Sequence, residues 1–468
     1  MRFPDGAFPA IRTVDREIDP LELLGRVIRD PYPALLLSGR REEDAGRFSL
    51  VASDPFQILR FRGSRGILQS KRHETPLAGD PFEALRRSLE ACRLRGIPGI
   101  PFSGGAIGYL GYSLGRAGSH GPGRRRLSPW PDLHLAFYDR AFVVDHERRC
   151  THLVATGLPE RAAERRREKR SLDLIRLQET LAARPDQEIP CRNSECSEPL
   201  FHTTRSEYLR AIRRAQDYLD AGEIYQVNLS HRITVNGAWS SRSLFRRLTQ
   251  RHPACFSAYL PLRDHEVLCA SPERLVSLRG ERAETRPIKG TRARHADPLE
   301  DRRAAAELEA GAKERSENLM IVDLARNDLG KVCVPGSVGV DRLCRVETLP
   351  SVHHLVSTVS GRLRPDCDGI DLVQALFPGG SMTGAPKIRA MEIIDDLEGG
   401  DRGIYSGSLG YFSFDGDLDL NIVIRSLVLS PGSAQLHVGG AILSESNPDQ
   451  EYQETLDKAR PILEALRP

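Results

Sequence analysis

The sequence predicts an α+β fold in which antiparallel β-sheets are covered by helices. Runs with the period of two that half-buried strands show occur early in the chain, at Ala34–Ser38, Phe48–Ala52 and Phe56–Phe61. Later strand-like runs mix with long helical segments, without regular alternation of the two. Since a parallel βαβ fold requires that alternation, antiparallel sheets are favoured.

A change of character near the middle of the chain predicts two domains. Residues 182–199 are polar and lack periodicity, which is typical of a linker. We therefore expect an N-terminal region with its linker at 1–190 and a second domain at 200–468. The second domain begins with the spacing of a capping box, Thr204-Arg-Ser-Glu207. The main elements predicted after it are helices at 297–325, 371–376 and 450–466 and strands at 406–414, 419–429 and 434–441.

The composition excludes several classes of function. The chain has 468 residues, 40% hydrophobic and 28% charged, with a formal net charge of +3. Nucleic-acid binders usually concentrate positive charge on one face, and no run here approaches the roughly 20 apolar residues of a membrane span. The start of the chain lacks the features of a signal peptide, and nine cysteines occur without a CxxC pair. We expect a cytoplasmic protein that binds neither nucleic acid nor membrane.

Two pairs of glutamates stand out on predicted helices. Glu314 and Glu317 are three residues apart, as are Glu451 and Glu454, so each pair shares one helix face. If the two helices face each other, four carboxylates converge, and such oxygen ligands suit Mg²⁺. Spacing alone is equally compatible with two solvated helix surfaces.

Two further residues have the chemistry of an active site. Lys289, in Arg286-Pro-Ile-Lys-Gly-Thr291, precedes a glycine where backbone could approach a ligand. A lysine is a nucleophile when burial or nearby positive charge lowers its pKa. Glu273 follows a proline at the end of a predicted strand and is a general-acid candidate if burial raises its pKa. Each could equally be an ordinary surface residue.

Taken in order, the motifs resemble those of the chorismate-utilising enzymes. This family includes anthranilate synthase component I, aminodeoxychorismate synthase component I, isochorismate synthase and salicylate synthase. The resemblance covers nearly the whole chain and implies their fold, in which antiparallel sheets pack as a sandwich covered by helices. The strings that carry it are Ile224–Leu229, Glu317–Asp328, Phe377–Arg389, Arg402–Tyr411 and Glu451–Thr455.

The resemblance implies a role for each matching residue. Glu317 and Glu454 match Mg²⁺ ligands, and Glu314 and Glu451 match their neighbours, which act directly or through water. Glu273 matches the general acid that protonates the leaving C4 hydroxyl of chorismate. The positions that match the substrate pocket are Gln226, Thr291, His354, Gly384, Tyr405, Arg425, Gly439, Gly440, Ala441 and Lys458.

Lys289 distinguishes the activities within this family. Aminodeoxychorismate synthases resemble one another in reading Pro-Ile-Lys-Gly-Thr here, whereas anthranilate synthases typically carry alanine at the lysine. The resemblance implies that Lys289 attacks C2 of chorismate and that ammonia then adds at C4, giving 4-amino-4-deoxychorismate for p-aminobenzoate and folate synthesis. The chain lacks the Gly-x-Cys-x-Gly motif of a glutamine amidotransferase. We therefore expect a partner glutamine amidotransferase subunit, or free ammonium, to supply ammonia.

Three alternatives stay open. Anthranilate synthase component I is the nearest. A water-adding isochorismate or salicylate synthase is disfavoured because those enzymes place a lysine where this chain has Gln226. A catalytically silent, amino-acid-sensing scaffold is disfavoured by the intact candidate residues. In relatives, segments matching Leu35–Gly39 and Arg47–Val51 hold tryptophan, but leucine replaces the glutamate of the feedback motif here, which argues against tryptophan binding.

Overall fold

The computed structural model describes residues 8–39, 45–116, 128–186, 196–349 and 352–467. In chain order the strands are β1 (Ala10–Val14), β2 (Ala34–Leu37), β3 (Phe48–Ala52), β4 (Gln57–Arg62), β5 (Arg65–Ser70), β6 (Glu74–Ala78), β7 (Gly105–Leu110), β8 (Leu133–Tyr138), β9 (Arg140–Asp145), β10 (Cys150–Ala155), β11 (Leu200–Phe201), β12 (Gln226–Asn236), β13 (Phe256–Pro261), β14 (Glu266–Ser271), β15 (Arg274–Arg279), β16 (Arg282–Arg286), β17 (Ile288–Ala293), β18 (Gly339–Thr348), β19 (Val352–Arg362), β20 (Gly384–Ala385), β21 (Ser408–Ser413), β22 (Leu418–Ile422), β23 (Ser426–Ser430) and β24 (Ser433–Ile442). The helices are α1 (Pro20–Val27), α2 (Pro81–Glu90), α3 (Ala163–Ala182), α4 (Arg205–Asp220), α5 (Ser241–Arg251), α6 (Pro298–Ala310), α7 (Ala312–Gly330), α8 (Gly369–Leu376), α9 (Gly380–Thr383), α10 (Lys387–Leu397) and α11 (Pro448–Leu466), with a 3-10 turn at Tyr112–Arg116.

Within the described ranges the strands form two 12-stranded antiparallel sheets. Sheet I has the order β1-β10-β9-β3-β2-β13-β14-β23-β24-β12-β11, with β20 paired to β12. Sheet II has the order β17-β19-β16-β15-β22-β21-β7-β8-β4-β5-β6, with β18 paired to β19. Regions 1–190 and 200–468 therefore contribute strands to both sheets, joined where β2 meets β13 and where β7 meets β21. The boundary between them stays a prediction about the sequence.

The two sheets pack face to face, and helices cover their outer faces. One buried cluster combines side chains from sheet I, such as Val143 and Leu260, with side chains from sheet II, such as Ile107 and Leu409. A second cluster joins the outer face of sheet II to α2, α7 and α8, and a third joins sheet I to α1, α5 and α11. This arrangement confirms the predicted α+β sandwich of antiparallel sheets covered by helices. No helix in the described part of the chain is long and apolar enough to cross a membrane.

The helix predictions succeeded where capping signals were strong. Thr204 caps α4 through the predicted capping box with Glu207, and α11 begins at Asn447, whose side chain accepts hydrogen bonds from two backbone amides. The single helix predicted at 297–325 was wrong, because the chain leaves the helical conformation at Gly311, with ψ of 112°, between α6 and α7. A Cβ atom there would lie 2.3 Å from the Glu314 carboxylate, so glycine also makes room for that side chain.

The chain crosses from one sheet to the other at two adjacent places, and this positions the site. The strand predicted at 419–429 was wrong: β22 belongs to sheet II and β23 to sheet I, and Arg425 between them has φ of 50°. The opposite crossing joins β14 to β15 through Glu273. The Ile422 amide donates to the Glu273 carbonyl at 3.0 Å. The two crossings therefore lie side by side and bring Arg425 next to Glu273.

Candidate active site

Lys289 lies on β17, at the edge of sheet II, with its side chain directed among charges from other elements. Its register with β19 shifts between Ile288 and Thr291, and Gly290 has φ of 81°. Desolvation, with a smaller contribution from Lys458, lowers the pKa of Lys289, while the carboxylates of Glu317, Glu273 and Glu454 oppose that shift. The lowered pKa favours the neutral amine that a nucleophile requires.

Glu273 is buried in the crossing between β14 and β15, with 4% of its surface exposed. Burial raises its pKa to about 7, against the opposing influence of the Ser381 hydroxyl and the charges of Lys289 and Arg425. The Ile288 amide lies 3.5 Å from Glu273 Oε1. A carboxyl with a pKa near neutrality can hold and release a proton under physiological conditions.

The four predicted carboxylates occupy the first turns of α7 and α11. Burial raises the pKa of Glu317, and the nearby charges of Glu454 and Glu314 raise it further. Burial likewise raises the pKa of Glu451, to which Glu454 also contributes. The two helices therefore bring their carboxylates within electrostatic reach of one another, as the i, i+3 spacing predicted.

Among the residues that the structure describes, each of these carboxylates except Glu317 has a close partner. Arg292 forms an ion pair with Glu314, and Ser446 donates to Glu451 at 2.8 Å. The Lys458 ammonium lies 2.7 Å from Glu454. In this arrangement the described residues contain no group of three or more His, Cys, Asp or Glu side chains that could hold a metal ion.

Of the predicted substrate-pocket residues, Arg425 acts electrostatically on Glu273 and Lys458 on Lys289, and Thr291 follows Lys289 on β17. Arg425 is partly buried, and its charge acts on Glu273. Lys458 donates to the Gly439 carbonyl at 3.0 Å, which joins α11 to β24. Thr291 and His354 are opposite each other on β17 and β19, with 2.9 Å between Thr291 Oγ1 and His354 Nδ1.

The predicted backbone donors lie on two strands, β20 and β24, which pair with β12 on either side. Gly439, Gly440 and Ala441 are on β24, paired with β12. Gly384, with φ of 139°, pairs with β12 on its other side, and a Cβ there would lie 2.1 Å from the Gln226 carbonyl oxygen. Glycine is therefore required where this loop meets β12.

Gln226 is the first residue of β12 and is fully buried. Among the described residues, neither the oxygen nor the nitrogen of its carboxamide has a hydrogen-bond partner. Buried polar groups are almost always hydrogen-bonded, so an unpaired carboxamide next to Gly384 is typical of a position that contacts a ligand.

Tyr405 is held by a buried network that the sequence prediction missed. Its ring stacks on His437 at 5.2 Å, and burial raises its pKa to about 12. Arg402, beneath it, is fully buried, pairs with Glu398 at 2.6 Å and donates to the Asn228 carbonyl at 2.7 Å. Arg402 is the first residue of the string Arg402–Tyr411, which carries the family resemblance. Its place in that string was the one sign in the sequence that it belongs to the site.

Ser381 was also missed as a site residue. It lies in the segment Gly379–Lys387, which is part of the string Phe377–Arg389, and its hydroxyl lowers the pKa of Glu273. Nothing in the spacing of that string indicated which side chain would act on the acid.

A separate cavity of about 520 Å³ lies between the two sheets. The predicted segments around Leu35–Gly39 and Arg47–Val51 contribute to its lining, together with Arg274, Arg279 and Tyr411. It coincides with the segments for which the sequence resemblance raised the question of tryptophan binding. The expectation that tryptophan does not bind here stays a prediction.

Comparison with known proteins relates this geometry to a family. Residues 33–464 match the family described as chorismate binding enzyme. Aminodeoxychorismate synthase component 1 of Salmonella typhimurium (strain LT2) is 40% identical over 439 residues, which cover 93% of each chain. Anthranilate synthase component 1 of Streptomyces coelicolor is 38% identical over 404 residues, covering 84% of this chain and 78% of that protein. The crystal structure of anthranilate synthase component I from Streptococcus pneumoniae TIGR4 has a TM-score of 0.80 at 30% identity, covering 92% of this chain and 94% of that one.

Proposed function

The chain belongs to the family of chorismate binding enzymes, and from this premise we propose that it converts chorismate and ammonia to 4-amino-4-deoxychorismate. The observation that carries the proposal is the pairing of Lys289, whose pKa is lowered, with Glu273, whose pKa is raised to about 7. One group is suited to attack and the other to give up a proton. The similarity to aminodeoxychorismate synthase component 1 supports the same activity.

In the proposed reaction the two groups act in a single step. The neutral Lys289 amine forms a bond to C2 of chorismate while the bond from C4 to its hydroxyl breaks. Glu273 gives its proton to the departing hydroxyl, which leaves as water. Ammonia then forms a bond to C4, the bond from Lys289 to C2 breaks to restore the neutral amine, and the added nitrogen gives a proton back to Glu273. The covalent intermediate divides one difficult substitution into two easier ones, and the balance is chorismate plus ammonia giving product plus water.

Glu317 and Glu454 would hold a Mg²⁺ ion, with Glu314 and Glu451 beside them. The donor set fits at Glu317 and Glu451, whose pKa values are raised by burial and by neighbouring carboxylates, whereas nearby cations lower the pKa of Glu314 and of Glu454. A divalent cation would relieve the repulsion between carboxylates and accept carboxylate oxygens. When bound, Mg²⁺ neutralises substrate carboxylate charge. Lys458 would have to give up part of its ion pair with Glu454 for this to occur.

The remaining predicted residues would bind the substrate. Arg425 presents a guanidinium suited to a carboxylate, and the amides of Gly384, Gly439 and Gly440 are close enough to β12 to form a shared donor surface. The unpaired Gln226 carboxamide would contact the ligand, and since glutamine is not a base, it would not activate water.

Anthranilate synthesis is the second candidate, favoured by the 38% identity to a protein of that name. Overall identity does not separate the two activities, since it is nearly the same for both relatives. Lys289 favours amination without loss of pyruvate.

We further propose that a glutamine amidotransferase subunit supplies ammonia, because the name component 1 of the relatives indicates a second component. A cytoplasmic location is supported by the cysteines in the described ranges, which are free thiols, as expected in a reducing compartment.

Product identity tests the proposal. The purified chain is incubated with chorismate, Mg²⁺ and ammonium, and the products are analysed by mass spectrometry. We expect a product that keeps the enolpyruvyl group and carries an amine in place of the hydroxyl. Anthranilate plus pyruvate would place the chain with the second candidate, and unchanged chorismate would support the scaffold alternative.

The same assay tests the role of Lys289. In Lys289→Ala we expect amination to fall by roughly 10³-fold or more while chorismate binding persists. Lys71→Ala, at an exposed lysine between β5 and β6, is the matched control and should leave the rate unchanged. Unchanged turnover in Lys289→Ala would rule out the covalent role.

A further inference from the structure

Lys387 ends the Gly379–Lys387 motif, yet its side chain has no part in the chemistry proposed above. It lies at the start of α10, and its side chain is only 13% exposed. Its ammonium is 2.7 Å from Asp328 Oδ2 and donates to the Leu376 carbonyl, at the C-terminal end of α8, at 2.9 Å. One buried cation therefore joins α7, α8 and α10.

Asp328 is held between two lysines of different exposure. Its other oxygen, Oδ1, is 2.7 Å from Lys331, whose side chain is 56% exposed. Burial lowers the pKa of Lys387, while Asp328 opposes that shift. A buried ion pair often adds little stability compared with apolar residues of the same size. Stability alone is therefore a weak reason for placing a lysine at position 387.

The ion pair joins two elements of the proposed active site. Asp328 is near the end of α7, whose first turns carry Glu314 and Glu317. Lys387 follows the segment Gly379–Gly384, which comprises α9 and the start of β20, carries Ser381 and Gly384, and is called the loop below. These elements also touch along their length, because a Cβ atom on Gly380 would lie 2.4 Å from the Leu324 side chain of α7.

A small cavity of about 30 Å³ runs along the same contact. Asp328 and Leu324 line it from α7, Gly380 and Ser381 line it from the loop, and Glu273 also lines it. The general-acid candidate and the ion pair therefore border one seam between α7 and the loop. A shift of α7 against the loop would move the Glu317 carboxylate relative to Glu273 and Ser381.

We propose that Asp328 and Lys387 form a positioning pair that sets the spacing between α7 and the Gly379–Gly384 loop. The pair touches no reacting atom. It fixes the metal-binding carboxylates of α7 relative to the acid and the backbone donors of the loop. This inference rests on the proposed function, since those groups are the ones the function requires.

Two lysine variants separate positioning from simple ion pairing. Lys387→Met removes the buried partner of Asp328, and Lys331→Met removes the exposed partner of the same carboxylate. Three quantities are compared: kcat for chorismate amination, the affinity of the chorismate complex for Mg²⁺ measured by calorimetry without ammonium, and the melting temperature. In Lys387→Met we expect kcat and Mg²⁺ affinity each to fall by about tenfold or more. In Lys331→Met both should stay within about twofold of the wild type.

Several outcomes would overturn the proposal. If Lys387→Met keeps kcat and Mg²⁺ affinity and lowers only the melting temperature, the role of the lysine is structural. Equal losses in both variants would mean that the buried lysine positions α7 no better than the exposed lysine does. Should Lys387→Met fail to fold, Lys387→Gln keeps a donor for the Leu376 carbonyl and undergoes the same comparison. If the wild type itself produces no 4-amino-4-deoxychorismate, the proposed function fails, and the Mg²⁺ affinities of the two variants still decide whether the seam positions α7.

Discussion

Replacing Glu273 by glutamine tests whether its carboxyl supplies the proton, because the carboxamide keeps the shape of the side chain but is not an acid. Burial raises the pKa of Glu273 to about 7. The active form carries a protonated Glu273 and a neutral Lys289. Loss of the Glu273 proton therefore lowers kcat/KM as the pH rises through about 7. Loss of the Lys289 proton raises kcat/KM as the pH passes the pKa of that amine.

The size of the expected rate change follows from the pKa of Glu273, which is about 7. Between pH 7 and pH 9 the protonated fraction of Glu273 falls from about one half to about one hundredth. Removing a general acid costs about 10² to 10⁴ in rate, or about 3 to 5 kcal/mol of transition-state stabilisation. In Glu273→Gln we expect a loss in this range, together with the disappearance of the break near pH 7. The break that belongs to Lys289 should persist.

The same substitution should stabilise the fold at alkaline pH. The pKa of Glu273 is raised from an ordinary value of 4.5 to about 7, so the folded state binds this proton more tightly than the unfolded state. Stability is therefore lost as the pH rises from about 4.5 to about 7, and the penalty is complete above that range. It amounts to about 3 kcal/mol, which Glu273→Gln would remove at pH 8.

Two measurements check these expectations. Initial rates are followed by mass spectrometry from about pH 6 to about pH 9, with the free-ammonia concentration held constant so that only the enzyme titrates. Unfolding by urea at pH 8 gives the stability difference. A variant that keeps the break near pH 7, or that retains more than about a tenth of the activity, would refute a proton-donating Glu273.

Two substitutions test the scaffold around the site. Gly384→Ala would place a Cβ 2.1 Å from the Gln226 carbonyl at a φ of 139°, so we expect urea unfolding to show a loss of about 1 to 3 kcal/mol, with weaker chorismate binding. Gly400→Ala, where no atom lies within 4 Å, is the control and should change neither. Arg402→Met leaves the Glu398 carboxylate without its buried cation, and thermal unfolding should show a loss of about 3 to 5 kcal/mol; a loss below about 1 kcal/mol would contradict this picture.

The sequence predicted the parts of the site that depend on local spacing. Glu314 and Glu317 share a face of α7 because residues three apart on a helix do so, and the same holds for Glu451 and Glu454 on α11. The predicted cap of α4 was equally local. The alternating runs predicted half-buried strands, since strand periodicity also needs no distant partner.

The predictions that failed concern features that depend on contacts between residues far apart in the sequence. Residues 419–429 have continuous strand propensity, and nothing local indicates that Arg425 adopts a positive φ where the chain changes sheets. The Lys387–Asp328 contact joins residues far apart in sequence, so a lysine at the end of a glycine-rich motif gave no sign of being buried. The break at Gly311 leaves room for the Glu314 side chain, a contact that helix propensity does not weigh.

The sharing of both sheets between the two halves of the chain has a consequence for biosynthesis. Strand β7 lies in the middle of sheet II, and its partner β21 is translated about 300 residues later, a delay of roughly 15 to 60 s at ordinary elongation rates. Throughout that interval the nascent chain carries an apolar strand with one unpaired edge, which is a template for pairing with other chains. During synthesis the first half of this protein is therefore the part with the longest exposure of an edge that only a later strand, β21, can pair.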